Sequence, residues 1–149
     1  PLLAGDGFCV AAADSRAPPL NPRHLLPTMI RFAVTTLLAE TSEYDLLVFH
    51  LSSDEHYLTI QRRADLKPSR FGDIRFECDG QSWSGYDVIR HLHYNPTLLR
   101  IVLDPTRATK FEGRHEYEIE FGIDPADKPA ALRFLRKLFA GTTVFEERP

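Results

Sequence analysis

Long apolar runs are missing from this 149-residue chain. None approaches the roughly 20 successive apolar residues that a membrane-crossing helix needs. Cysteine is scarce, and Cys9 and Cys78 belong to no spaced set. That argues against a disulfide framework and for a reducing compartment. A basic stripe is also missing. The formal net charge is −3 and Lys and Arg are scattered, which speaks against nucleic acid as a partner. The opening lacks the positively charged start of a secretory signal, and Gly5, Asp6, Gly7 and Asp14 break its apolar runs. A cytoplasmic protein with neither a membrane nor a nucleic-acid partner is the expectation. What remains is an ordinary globular balance, 43% hydrophobic and 26% charged, which can bury a core without a disulfide or metal staple.

Residues 1–28 differ from the rest. They hold Pro1, Pro18, Pro19, Pro22 and Pro27 with Gly5 and Gly7, few charges, and no period that lasts. Ordered patterning begins at Met29, the only methionine. The expectation is a proline-rich leader over 1–28, either a linker from a larger polypeptide or sequence upstream of the natural start, before a single domain over 29–149. The alternative is an irregular arm packed through Leu2, Leu3, Phe8 and Val10.

From Ile30 onward the period is two. Ile30–Glu40, with the β-branched and aromatic residues Ile30, Phe32, Val34 and Thr36, reads as a first strand, and Tyr44–Leu51 and His56–Arg63 as the next two. In Asp73–Asp79, Ile74, Phe76 and Cys78 alternate with Asp73, Arg75, Glu77 and Asp79, the mark of a sheet with one buried and one wet face. Gly80–Gly85 reads as a polar loop carrying Trp83. Tyr86–Tyr94 and Leu98–Leu103 flank the hairpin turn Asn95-Pro96-Thr97. Thr106–Gly113 has room for one helical turn, and Glu116–Phe121 is a further alternating strand. The period then lengthens. Ala131, Phe134, Leu135, Leu138 and Phe139 form one helical stripe, with Asp124 as the expected N-cap, Pro125 in the first helical position and Gly141 as the stop. The fold class predicted is α+β: a mostly antiparallel sheet of about six to seven strands with one C-terminal amphipathic helix packed on it.

Candidate chemistry is sparse. His91 and His93 stand two apart on a strand, so both imidazoles leave the same face, and Glu77 or Asp79 could complete a metal-dependent hydrolase site. No H-E-x-x-H or C-x-x-C motif accompanies them, and a polar face that uses histidine is the simpler reading. Gly80-Gln81-Ser82-Trp83-Ser84-Gly85 does not have the G-x-S-x-G spacing of a nucleophile turn. Asp54-Glu55-His56 reads as a solvated turn. Glu116, Glu118 and Glu120 share one face, which is either the wet side of a strand or a surface for a basic partner. No phosphate-cradling loop or dinucleotide fingerprint occurs, and no cofactor is expected.

Several segments in order carry a likeness to a known family. Tyr57-Leu58-Thr59-Ile60-Gln61-Arg62 matches a Y-L-x-L-Q-R strand, and Phe76-Glu77-Cys78-Asp79-Gly80-Gln81 a strand ending in acid-x-Q. Ser84-Gly85-Tyr86 matches a small-Gly-aromatic turn. Glu118-Ile119-Glu120-Phe121 and Leu135-Arg136-Lys137-Leu138-Phe139-Ala140-Gly141 match a strand followed by a helix. Over these 85 residues, Tyr57 to Gly141, the chain resembles family ten of the bacterial immunity proteins, the antidotes encoded beside polymorphic toxins. Asp87 stands where that family carries a second glycine, and the leader has no counterpart.

The resemblance implies a non-catalytic intracellular protein that binds a cognate toxin protein and occludes its site or its substrate groove. Trp83 and Tyr86, aromatic residues on a loop, are the candidate anchors, with Glu116, Glu118 and Glu120 as further toxin-binding candidates. Trp83 folded back over the sheet edge is the alternative for that residue. A monomer or weak homodimer is expected. The rival functions are the hydrolase built on His91, His93 and Glu77, and an adaptor domain of a larger chain.

Overall fold

The computed structural model describes residues 29–148. The readings of the leader, of Cys9 and of the packing arm therefore lie outside the described residues. The domain is α+β, but it holds ten strands in two five-stranded sheets rather than six or seven in one. Two of the extra strands arise where the chain crosses between sheets inside segments that read as continuous, and the third, a short one, follows the helix.

The first crossing is at Thr35. The expected strand Ile30–Glu40 is two strands, β1 (Met29–Val34) and β2 (Thr36–Thr41), which belong to different sheets. Thr35 forms a bend whose amide and hydroxyl both donate to the Ser52 carbonyl, at 2.9 and 3.2 Å. One extra residue at a bend shifts the side-chain alternation. Ile30, Phe32 and Val34 point inward before it, and Leu37 and Ala39 afterwards, while Thr36 and Leu38 turn outward.

The second crossing lies at Asp87. Tyr86–Tyr94 was expected as one strand; it is divided between β6 (Ser84–Tyr86) and β7 (Ile89–Tyr94), again in different sheets. Asp87 takes a φ of 54°, the left-handed conformation that glycine favours. An aspartate is tolerated because its carboxylate accepts from the amides of Asp73, at 3.1 Å, and Ile74, at 2.9 Å.

The first sheet runs β1-β9-β8-β7-β10, with β8 at Leu98–Leu103, β9 at Glu116–Phe121 and β10 at Phe145–Glu147. The second runs β2-β3-β4-β5-β6, with β3 at Leu46–Ser52, β4 at Tyr57–Arg63 and β5 at Ile74–Cys78. Pairing is antiparallel throughout the second sheet. In the first it is antiparallel in the centre and parallel at both edges, β1 on β9 and β10 on β7. The three-residue β10 follows the helix and is too short to show a period. The inner faces meet in one core, where Phe76 of β5 lies edge-on to Tyr117 of β9 with centroids 5.3 Å apart.

Helix α1 (Lys128–Leu138) buries the predicted stripe, and Phe134 stacks on Phe49 of β3 at 6.3 Å. Its start is later than expected. Asp127 occupies the N-cap position, and Asp124 instead heads a preceding turn in which its carboxylate accepts the Ala126 amide. Pro125 lies in that turn, and Pro129 holds the first helical turn. Gly141, at φ 77°, follows the end of the helix as predicted.

Arg62 fixes where the helix ends. It continues the inward parity of Leu58 and Ile60, is only 6% exposed, and sits on the core side of the second sheet. Its Nε and Nη2 donate to the two carboxylate oxygens of Asp73 at 3.0 and 3.1 Å. Its Nη1 donates to the carbonyls of Leu138 and Ala140 at 2.9 and 2.7 Å. Arg62→Ala is expected to lower stability by about 3 kcal/mol, because it leaves two carbonyls and a carboxylate without their donor. Arg62→Lys should recover less than half of that loss, since an ammonium cannot bridge the carboxylate and both carbonyls together. Urea denaturation of the two variants measures both effects, and a lysine variant as stable as the parent would contradict this role.

Candidate functional site

His91 and His93 share the outer face of the first sheet, with stacked rings 5.7 Å apart, as their spacing predicted. Glu77 projects from the outer face of the second sheet, so the core separates it from the histidines. The hydrolase set His91, His93 and Glu77 therefore does not converge. Among the described residues no group of three or more His, Cys, Asp or Glu side chains is placed to hold a metal. His93 instead faces Glu146, with Nδ1 3.0 Å from Oε2 but not aligned as a hydrogen bond.

Glu116, Glu118 and Glu120 do line one face of β9, yet they do not form a field of one sign. The strand register builds a transverse row, Arg31, Glu118, Arg100, His93 and Glu146, in which the carboxylates are interleaved with arginines and a histidine. Arg31 lies 3.1 Å from Glu118, and Arg100 3.2 Å from Glu116. Cross-strand pairs of opposite charge support register and sheet stability. Glu120 is exposed, flanked by Ala33 and Leu98.

Trp83 ends a 3-10 turn (Gln81–Trp83) and packs half-buried against the core, with the Arg114 guanidinium 3.8 Å above its ring. Tyr86 stands on the outer face of the second sheet, opposite Arg75. The structure therefore does not join Tyr86 to the glutamate row, which belongs to the other sheet. It places Tyr86 6.0 Å from Phe71, an exposed aromatic that the sequence reading passed over in the loop before Gly72. Its signal was an aromatic residue in an otherwise polar loop.

The outer face of the second sheet carries a polar network. The Tyr57 hydroxyl donates to Glu77 at 2.7 Å, and Arg75 pairs with the same carboxylate. His56 Nδ1 lies 2.7 Å from Asp79, whose other oxygen accepts the Tyr57 amide. His56 is thus more than part of a solvated turn. His50 Nδ1 lies 2.8 Å from the Thr59 hydroxyl. A nucleophile chain needs one imidazole with a hydroxyl or thiol on one side and an orienting carboxylate on the other. Here the parts are divided: His56 has the carboxylate and His50 the hydroxyl. Cys78 is buried, and burial pushes its thiol up, away from the reactive thiolate.

An open groove of about 840 Å³ lies between β2 and α1. Leu37, Ala39, Ile123, Ala131 and Phe134 form its apolar lining. β2 is the outermost strand of its sheet, so one side of its backbone has no strand neighbour among the described residues. Strand and helix run the same way along the groove. Phe134 stacks on Phe49, which pairs with Ala39, while the helix end is tied to Arg62, whose partner Leu47 pairs with Thr41. Asp124 and Asp127 therefore stand at the Thr36 end and Lys137 towards the Thr41 end, with Arg133 between them. The groove was invisible in sequence, because it exists only if the chain changes sheets at Thr35.

The network around Glu77 makes a measurable pH statement. Its hydrogen bond to Tyr57, and then burial, push the tyrosine hydroxyl from 10.0 up to about 12. The folded state thus holds this proton more tightly than the unfolded state. The stability it contributes is complete below pH 10 and is lost as pH rises from about 10 to about 12. In a spectrophotometric titration, Glu77→Gln should bring the Tyr57 midpoint down towards 10.0, with Tyr57→Phe identifying the signal. A parent midpoint already near 10.0 would contradict the network. Compared with known proteins, no family model matches this chain, and neither does any curated protein or solved structure.

Proposed function

We propose that this chain is a non-catalytic binding protein that neutralises a cognate toxin protein by covering the toxin's site or substrate groove. The observation that carries the reading is the groove between β2 and α1, where an apolar lining adjoins backbone groups without a strand partner. Such a surface suits a polypeptide, since an incoming chain brings both apolar side chains and backbone donors and acceptors. The division of the catalytic parts between His50 and His56 favours binding over catalysis.

The toxin as partner rests on the ordered likeness to the immunity proteins. Those segments fall on β4, on β5 and β6 with the turn between them, on β9 and on α1. They are the strands and helix that frame the core, so the likeness concerns the scaffold and leaves the recognition surface free to vary with the toxin. The partner is a protein, with no cofactor, nucleic acid or membrane required. Among the described residues no helix is long and apolar enough to cross a membrane.

Co-expression of the full chain with the toxin domain encoded beside its gene tests the reading. The expected outcome is restored growth and a complex that stays together on gel filtration, burying on the order of 1,200–2,000 Å². Continued toxicity with no complex would overturn it.

A further inference from the structure

We infer that the groove between β2 and α1 takes an extended segment of the partner protein as a sixth strand of the second sheet, in one direction only. The segment carries a cationic side chain at the Asp124–Asp127 end and an anionic one at the Arg133–Lys137 end. This rests on the reading of the chain as a binding protein and names the chemistry of what it binds.

The sheet edges point to β2. Natural sheets protect their edges with short strands, Lys, Pro or covering elements. β6 and β10, one edge of each sheet, are three residues long. β1, at the remaining edge of the first sheet, turns Arg31 outward. β2 is six residues long, has Leu37-Leu38-Ala39 at its centre, holds neither Lys nor Pro, and carries its single charge, Glu40, beside its last residue. Leu38 is 42% exposed. An edge of this kind is a template for strand addition.

The lengths agree. A five-residue strand spans about 17 Å. The helix between Asp127 and Lys137 covers about 15 Å at its usual rise per residue. A strand laid along the groove therefore meets Asp124 and Asp127 near one end and Lys137 near the other, all of them exposed. That charge order sets the direction.

It also counts against a second copy as the occupant. Two β2 strands paired antiparallel about a two-fold axis keep like faces together, so with Leu38 on the axis Glu40 of one copy stands opposite Thr36 of the other. That is the end at which Asp124 and Asp127 stand. Like charges meet there, whereas a partner with a cation at that position is attracted.

The test pans a phage-displayed library of random dodecapeptides against the full chain, then measures synthetic winners by fluorescence polarisation. The expected winners alternate β-branched apolar residues between a cation and an anion in a constant order. N-methylation of alternate backbone amides should abolish their binding. Asp124→Lys and Asp127→Lys combined with Arg133→Glu and Lys137→Glu should weaken them at least tenfold and strengthen the peptides of reversed order. The milder pair Asp127→Lys with Lys137→Glu should move both in the same directions by a smaller factor, and it stands in should the fourfold variant not fold. In hydrogen exchange the bound peptide should protect amides of β2.

No enrichment, equal binding to the charge-reversed protein, or protection away from β2 would overturn the inference. So would a β2-protected dimer of the chain alone. The two proposals fail separately. Peptides bound in the stated order without rescue from the toxin would sink the neutralisation reading alone. Rescue by a complex indifferent to charge reversal and to β2 would sink the strand-addition reading alone.

Discussion

The domain's architecture turns on a cation in the wrong place for a simple core. Arg62 lies on the inward face of β4, where Leu58 and Ile60 precede it, and it is the buried charged side chain among the described residues. Taking a guanidinium out of water costs several kcal/mol unless its donors are matched. They are matched here by the planar carboxylate of Asp73 and by two carbonyls at the end of α1. The same contacts cap a helix end that would otherwise hold unsatisfied carbonyls. Sheet and helix therefore specify each other: the strand places the arginine, and the arginine fixes where the helix stops. With that end held, and Phe134 stacked on Phe49, the helix lies at a set distance from β2. The groove is the space this leaves.

The strands whose two faces differ in polarity were legible residue by residue. Ile74–Cys78 and Glu116–Phe121 alternate in sequence as they do in space. The helical stripe was legible for the same reason, because burial imposes the period directly. What could not be read was the partition into two sheets. The crossings at Thr35 and Asp87 occur within segments that read as continuous strands, and neither crossing residue is Pro or Gly, the usual marks of a break. Thr35 is held by bonds to Ser52, seventeen residues away in sequence. Asp87 replaces glycine's freedom with bonds to Asp73 and Ile74. Long-range partners made these breaks, and a local pattern contains no record of them.

The candidate site was less legible than the fold. Period two assigned His91 and His93 to one face and the three glutamates to one face, and both assignments hold. It could not say that these are the same face, nor that Glu77 lies across the core from them. Nor could it supply Arg31 and Arg100, which pair with Glu118 and Glu116. Trp83 stood out for its rarity, but a rare aromatic residue is as well used under Arg114 as at a partner's surface. The groove depends on the crossing at Thr35 and on where the helix lies, and no single segment foreshadows it.

A common economy links these findings. Many of the polar side chains that looked chemically suggestive are bound within the domain. Asp79 holds His56 and the Tyr57 amide, Glu77 holds Tyr57 and Arg75, and Asp87 holds the start of β5. Asp73 holds Arg62. Breaking such a contact to engage a ligand costs what it contributed to folding, so these groups recognise a partner only at the expense of stability. The edge of β2 is different in kind. Its outward N–H and C=O groups have no strand partner among the described residues, and they can gain bonds without losing any but those to water. Recognition in a domain built this way falls to the backbone the fold leaves open, with the charges around it setting direction.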